Sequence, residues 1–255
     1  MMLGQLYKPK GLALETAQAV LEVQDPRACN VAVGCSNACL YCYVSKATHQ
    51  PRSVCRVVRL PKKPPVELVK HQLKRYWEFH WGVEGVFLCF LTDPFLRQVR
   101  ESTRDLIELL VARGARVATL SKLEIPYNHA VRQGMTIVSL DDAFAKQWEP
   151  NTTKPNDRLT ALQLAKDDFD NYVWLSMEPY PPSAIHKQRI EDLLEELNFV
   201  DLIVFGKWNY DARARTEEAR IEYAEKVMVL RDFCKSHNIR LHVKSETLRF
   251  IGQRR

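Results

Sequence analysis

Cys35, Cys39 and Cys42 stand close together in the segment GCSNACLYCY, residues 34–43. A C-x₃-C-x₂-C spacing lets three thiolates face a common centre from one tight loop, and thiolates are the ligands of iron–sulfur clusters and of zinc. A structural zinc site asks for a fourth protein ligand, which Cys29 or Cys55 could supply. Cys29, however, opens the stretch CNVAVG that runs toward the loop, and the residues between, extended at about 3.3 Å each, would hold it away. Three thiolates leave one iron of a four-iron cluster without a protein ligand. An open metal position is where chemistry happens.

The rest of the chain frames that possibility. It has 255 residues, 46% of them hydrophobic, enough for one large α/β domain with a full core. No apolar run approaches the roughly 20 residues that span a bilayer, and the first residues lack the apolar region of a signal peptide. The expectation is a soluble, cytoplasmic protein with no membrane partner. In such a reducing setting an odd count of 7 cysteines argues for metal binding or catalysis rather than disulfides. The formal charge of +6 is unevenly spread. Lys46, Arg52, Arg56, Arg59, Lys62 and Lys63 follow one another with no acidic residue between Val44 and Val66. Such a run suits a phosphate-rich partner, or is simply a solvated loop.

Short β-rich runs alternate with amphipathic segments. Strands are expected at 29–34, 85–92, 116–121, 135–140, 172–177, 201–206 and 240–245. Helices are expected at 66–77, 102–113, 126–133 (ended by Gly134), 157–168, 185–197 and 216–237. This order implies parallel strands joined by helical crossovers. Six such units with a trailing strand would curl into a partial barrel or lie as an open sheet; the predicted fold is α/β, a partial (β/α)₆ TIM-type barrel with a trailing seventh strand. Residues 1–28 read as an N-terminal extension packed on it, and 29–255 as the barrel domain. Functional groups then gather at the C-terminal ends of the strands, where the cysteines already lie.

GCSNACLYCY, directly after the first strand of such a chain, resembles the signature of the radical S-adenosylmethionine (SAM) superfamily. There, three cysteines hold a [4Fe–4S] cluster and SAM chelates the fourth iron; the aromatic Tyr41 before the third cysteine also fits. FLTDPFLRQVRESTRDLIELLVARGARVATLSK and EPNTTKPNDRL are similar to stretches of the spore photoproduct lyase-like branch. The resemblance implies a cofactor-binding set: Tyr41, Thr92 after strand two, Lys122 after strand three, and Ser139 and Asp141 after strand four. Lys122 would pair with the carboxylate of SAM, Thr92 and Ser139 would hydrogen-bond the cofactor, and Asp141 would reach the ribose. Thr92 and Ser139 could instead satisfy local backbone groups, and Asp141 could cap the segment that follows. Glu149 and Arg158 suit a structural ion pair in the barrel mouth.

The resemblance also has gaps. LTDP stands where many radical SAM enzymes carry Gly-Gly-Glu. The hydrogen-donating cysteine of spore photoproduct lyase falls on Phe90 here, and strand alternation sends the neighbouring Cys89 outward into the core. Repair of thymine dimers is therefore set aside. Cys234, among Val229, Leu230 and Phe233, reads as a core thiol. By resemblance the chain would take one electron from a reductant such as flavodoxin or ferredoxin and cleave SAM to a 5′-deoxyadenosyl radical. Lys207, Trp208 and Tyr210 in FGKWNY, with Lys244, are the candidate substrate residues, and with the basic run they lean toward a nucleic acid or nucleotide. Core packing of Trp208 and a local pair of Lys244 with Glu246 are the plainer readings. The alternatives are a radical enzyme acting on a peptide or small metabolite, and a non-catalytic iron–sulfur or zinc binding protein.

Overall fold

Strand alternation decides how the chain is layered. The structure, a computed structural model, describes residues 3–78, 83–125, 130–168 and 170–253. Its strands are β1 (Leu6–Tyr7), β2 (Arg27–Cys29), β3 (Gly85–Leu88), β4 (Arg116–Ser121), β5 (Val131–Thr136), β6 (Val173–Tyr180), β7 (Leu202–Lys207) and β8 (Arg240–Val243). They form one 8-stranded sheet in sequential order. β2 through β8 run parallel, and β1 pairs antiparallel with β2 at the edge. Right-handed crossovers between strands whose order never reverses place the connecting helices on a single face. No helix among the described residues is long and apolar enough to cross a membrane.

Odd and even positions of each strand accordingly serve different partners. On β6, Val173, Leu175 and Met177 join the core beneath α7 (Pro155–Asp167), α8 (Ile190–Leu194) and α9 (Glu217–Ser236). Cys234 of α9 lies in that core, as its apolar neighbours suggest. On β3 and β4, Val86, Leu88 and Val117 pack with Val69 of α4 (Pro65–Glu78) and Leu106 and Leu110 of α5 (Arg100–Val111). The opposite face carries Ala28, Phe87, Ala118, Trp174, Leu202 and Val204. That face is covered by a helix sequence reasoning did not resolve, α1 (Gly11–Leu21), through Ala17, Val20 and Leu21.

The end of α1 is tied down by cations. Its last carbonyls would be orphans, and three arginines from the N-terminal ends of strands take them. Arg116 donates to Leu21 O at 2.5 Å, Arg132 to Val20 O at 2.5 Å and Arg240 to Ala19 O at 3.3 Å. Glu22, which ends the helix, pairs with Arg132 and with Arg240 at 2.5 and 2.6 Å. This arrangement also matches the negative end of the helix dipole.

Several expected elements are shifted, each for a visible reason. The strand expected at 29–34 stops at Cys29, and that expected at 85–92 stops at Leu88. Beyond them the Asn30 side chain replaces the ladder, accepting from Phe90 N and Leu91 N at 2.8 and 3.0 Å. The helix expected at 126–133 is partly outside the described residues, and Val131–Gln133 belong to β5 instead. Gly134 is not a helix stop. It sits mid-strand under the Trp174 indole, where an added Cβ would lie 2.2 Å from a ring carbon. Of the helix expected at 185–197 only α8 forms, because His186 and Gln188 reach back to Ser139 and to the Val138 carbonyl. Further helices, α6 (Asp142–Trp148) and α10 (Ser245–Phe250), follow β5 and β8.

The Glu22 clamp makes stability depend on pH. Burial pulls its carboxyl upward, but the hydrogen bond and charge of Arg132, with Arg240 and Arg116, outweigh this and hold it below the ordinary carboxylate value. A depressed carboxylate stabilises the fold above its unfolded pKa of about 4.3, and the contribution is lost as pH falls through the folded value. Since Glu22 is substantially exposed, Glu22→Gln should cost only about 0.5–1 kcal/mol at pH 7. Urea unfolding should show the deficit at pH 7 and a shrinking one below about pH 4; a pH-independent deficit would contradict the clamp.

Candidate functional site

At the C-terminal edge of the sheet, the face that α1 covers becomes a cavity of about 270 Å³. Leu120 of β4 and Lys122 just beyond it, Thr136 of β5, and Ser176 and Glu178 of β6 line it, with Ser121 and Pro179 at the strand ends beside them. Phe87 and Phe90, stacked with ring centroids 4.4 Å apart, give it an apolar wall. Leu12, Ala13 and Thr16 of α1 complete it.

Cys35, Cys39 and Cys42 all line this cavity, each half-buried and free of disulfides. The loop that carries them is fixed by its backbone. Cys35 N donates to Cys55 O at 2.8 Å and Gly34 N to Leu91 O at 3.1 Å. Gly34 has φ +90°, and a Cβ there would sit 2.1 Å from Val57 O, so no larger residue fits. Thr92 lines the cavity and donates its hydroxyl to Gly34 O at 2.7 Å, the local backbone role weighed for it.

Asp93 is the hub that sequence reasoning used only as a register mark. One carboxylate oxygen accepts from Ser121 Oγ at 2.8 Å and Phe95 N at 3.0 Å. The other accepts from Asn37 Nδ2 at 3.0 Å and Lys122 N at 2.8 Å. Asn37 lies inside the cysteine loop and Lys122 directly follows β4, so one buried side chain spaces the thiols from the lysine. Burial raises the thiols, Cys35 to about 11 with the Asp93 charge adding, and Cys39 to about 12 against the pull of Lys122. Cys42 is raised too, burial outweighing its backbone contact and Lys122. Such thiols stay protonated at neutral pH until a metal displaces the proton.

Lys122 has its ammonium 5.5 Å from the Tyr41 ring centroid. Among the described residues no carboxylate pairs with it. Tyr41 is buried, donates to Glu149 and packs edge-on against Trp208 at 5.0 Å. Glu149 and Arg158 form the expected buried ion pair, and Arg158 also donates to Thr136 O at 2.5 Å. Burial raises the Glu149 carboxyl more than Arg158 lowers it.

Other expected positions fall elsewhere. Ser139 and Asp141 are not among the residues lining the cavity. Ser139 Oγ lies 3.2 Å from His186 Nε2, and Asp141 caps α6 by accepting from Ala143 N at 2.7 Å. The cause is the strand boundary: β5 ends at Thr136, and Thr136 and Ser176 supply hydroxyls where Ser139 was expected. Trp208 is 1% exposed, in an aromatic cluster with Tyr41, Phe144 and Trp148, so it is core and not a substrate platform. Lys207 is buried and does not itself line the cavity; it sits behind two residues that do, bonded to Asn209 at 2.7 Å and paired with Glu246 at 3.4 Å. Lys244 does line the cavity, but its carboxylate partner is Glu178 at 3.3 Å, not Glu246. Tyr210, half-exposed, also lines it. Cys89 is the clearest surprise: β3 ends at Leu88, alternation no longer governs, and Cys89 both packs in the core and reaches the cavity wall.

No protein-family model matches the chain. The chain is 25% identical over 245 residues to an uncharacterized protein, ORF301, of Acidianus two-tailed virus, a match covering 88% of this chain and 81% of that one. Its structure is similar to the crystal structure of Streptococcus suis SuiB, with a TM-score of 0.50 at 9% identity over 72% of this chain. The match spans about 43% of the SuiB chain, and at that identity it is a likeness of fold alone.

If Asp93 holds the site together, Asp93→Asn should be costly despite its near-identical shape. The amide would turn a donor toward donors and remove the charge, costing roughly 2–3 kcal/mol in chemical denaturation. A loss under about 0.5 kcal/mol, within the range of a surface change, would show that the hub carries no such weight.

Proposed function

We propose that this chain is a radical SAM enzyme of the spore photoproduct lyase-like kind, built on a partial (β/α)₆ barrel with β8 as the trailing strand. One observation carries the reading: three thiols and an unpaired lysine face the same cavity at the C-terminal edge of parallel strands. The curl is supported by Phe87 on β3 and Trp174 on β6, whose ring centroids are 6.0 Å apart. Two strands intervene, so in a flat sheet spaced about 4.8 Å per strand their backbones would lie about 14 Å apart.

The donor set fits a [4Fe–4S] cluster with SAM. In a cubic cluster each thiolate binds a different iron, so the sulfurs need not converge on one point as around a single ion. Among the described residues no three His, Cys, Asp or Glu side chains do converge in that way. When bound, cluster and SAM would together supply a 5′-deoxyadenosyl radical through one-electron cleavage of the sulfonium.

What the chain itself contributes is position and dryness. Cys35, Cys39 and Cys42 would hold three irons and leave the fourth open. Lys122 would take the carboxylate of SAM, a charge-assisted contact in a water-poor wall. Thr136 and Ser176 offer hydroxyls beside it, while Phe87, Phe90 and Leu120 keep water from the reacting carbon. Substrate would meet Lys244, Glu178 and Tyr210. The aromatic face and paired charges there support a nucleotide-like substrate.

Anaerobic reconstitution tests the proposal. The native chain should take up about four irons and, once reduced, release 5′-deoxyadenosine from SAM. Cys35→Ala, Cys39→Ala or Cys42→Ala should lose the cluster. Lys122→Ala should keep its iron and bind SAM about tenfold more weakly in equilibrium dialysis, a loss of about 1.4 kcal/mol. Full iron with no 5′-deoxyadenosine, and SAM binding indifferent to Lys122, would make this a binding protein and not an enzyme.

A further inference from the structure

The basic run between Val44 and Val66 is left over by the site above, and its structure is specific. It comprises two short helices, α2 (Val44–Ala47) and α3 (Arg52–Cys55), and the turns around them. Lys46, Arg52, Arg56, Arg59, Lys62 and Lys63 are all exposed. Among the described residues none of them pairs with a carboxylate, whereas cations elsewhere on the surface, such as Lys8, Arg104 and Arg220, do. Among them sit Val57 and Leu60, 59% and 58% exposed.

The segment is fastened directly onto the cysteine loop. Val33 and Arg59 exchange backbone hydrogen bonds at 3.1 and 2.9 Å, Cys35 N donates to Cys55 O, and Gly34 is pressed against the Val57 carbonyl. Arg56 is thus the covalent neighbour of both residues that cover Gly34 and Cys35, and Arg59 bonds the preceding Val33 directly. A partner seated on this surface would be separated from the thiols by a single layer of chain.

We propose that this surface docks a small acidic one-electron carrier protein, a proposal that rests on the radical SAM reading above. Complementary charge steers such an encounter, and an exposed apolar pair amid cations is the anatomy of a protein interface. A single-stranded nucleic acid platform interleaves cations with aromatic rings on which bases stack, and residues 44–66 contain no Phe, Tyr or Trp. The redox step is simple: the reduced carrier gives up one electron, the cluster held by Cys35, Cys39 and Cys42 gains it, and no bond or proton moves.

The probe is a purified acidic flavodoxin, labelled and titrated with the reconstituted full chain by fluorescence anisotropy. Binding should weaken with salt, and the double variant Lys62→Glu/Lys63→Glu should bind about tenfold more weakly with unchanged thermal stability. Leu60→Ser should weaken binding without altering its salt dependence. SAM cleavage driven by dithionite should be unchanged in the double variant, while cleavage driven by reduced flavodoxin falls about as much as binding does. Flavodoxin binding untouched by the double variant would overturn the proposal. So would loss of binding to a labelled single-stranded oligonucleotide with flavodoxin binding retained. If neither reductant cleaves SAM but the variant still loses flavodoxin, the enzyme reading fails and the docking surface stands.

Discussion

A buried carboxylate with four donors around it is the constraint from which the rest of the site follows. Asp93 comes from the turn after β3, Asn37 from the cysteine loop, and Ser121 and Lys122 from the end of β4. A charge taken out of water is tolerated only where hydrogen bonds replace its hydration. The three segments must therefore meet at one distance and in one orientation. Lys122 is held by its backbone N–H, which leaves its ammonium free to face the cavity. The same contact that satisfies Asp93 thus positions a cation beside three thiols, and it needs no bond to the lysine side chain to do so.

A second constraint works from beneath. A sheet whose connecting helices all lie on one face leaves the other unprotected, and that face must be filled. Phe87 and Trp174 fill part of it, with Gly134 making room for the indole, and α1 fills the remainder. The helix also reaches upward. Lys244 donates to Leu12 O at 3.3 Å and to Thr16, and Ser245 N donates to Glu15 at 2.7 Å. Residues before the cysteine loop therefore shape the wall of the cavity as well as its floor.

How far this was legible in the sequence depends on whether local or distant contacts set each feature. The strand signal in YVWLSM, the Pro-initiated α4 and the long α9 are local, and those elements form where they were read, though β6 runs on to Tyr180. Lys122, which the resemblance implied after RVATLS, does line the cavity. Strand ends are different, because they are decided by partners far along the chain. Asn30 stops β2 and β3 by bonding the backbone of Phe90 and Leu91, across 60 positions. Gly134 reads as punctuation but answers to Trp174, so β5 was placed too late and Ser139 was expected where Thr136 stands. Trp208 and Lys207 sit where rim residues belong in a strand-end count, yet burial among aromatic rings and a pairing with Glu246 remove them from the cavity. Glu178, not legible as a partner at all, reaches the cavity and Lys244 beside a glycine, Gly206, where any Cβ would meet its side chain at 2.7 Å.

The placement of charge completes the picture. Inside the cavity, Lys244 is matched by Glu178 and Glu246 by Lys207, while among the described residues no carboxylate pairs with the Lys122 ammonium, which marks one defined place for an anionic group. Outside, the cations of the basic segment are exposed and, among the described residues, have no carboxylate partner. A focused single charge in a water-poor wall discriminates among small groups, because the energy falls steeply with misplacement. A spread of exposed charges does the opposite: it attracts a large partner from many approaches and is screened by salt. The two arrangements meet at the Gly34–Cys35 backbone, which the basic segment covers on one side and whose thiol opens to the cavity on the other.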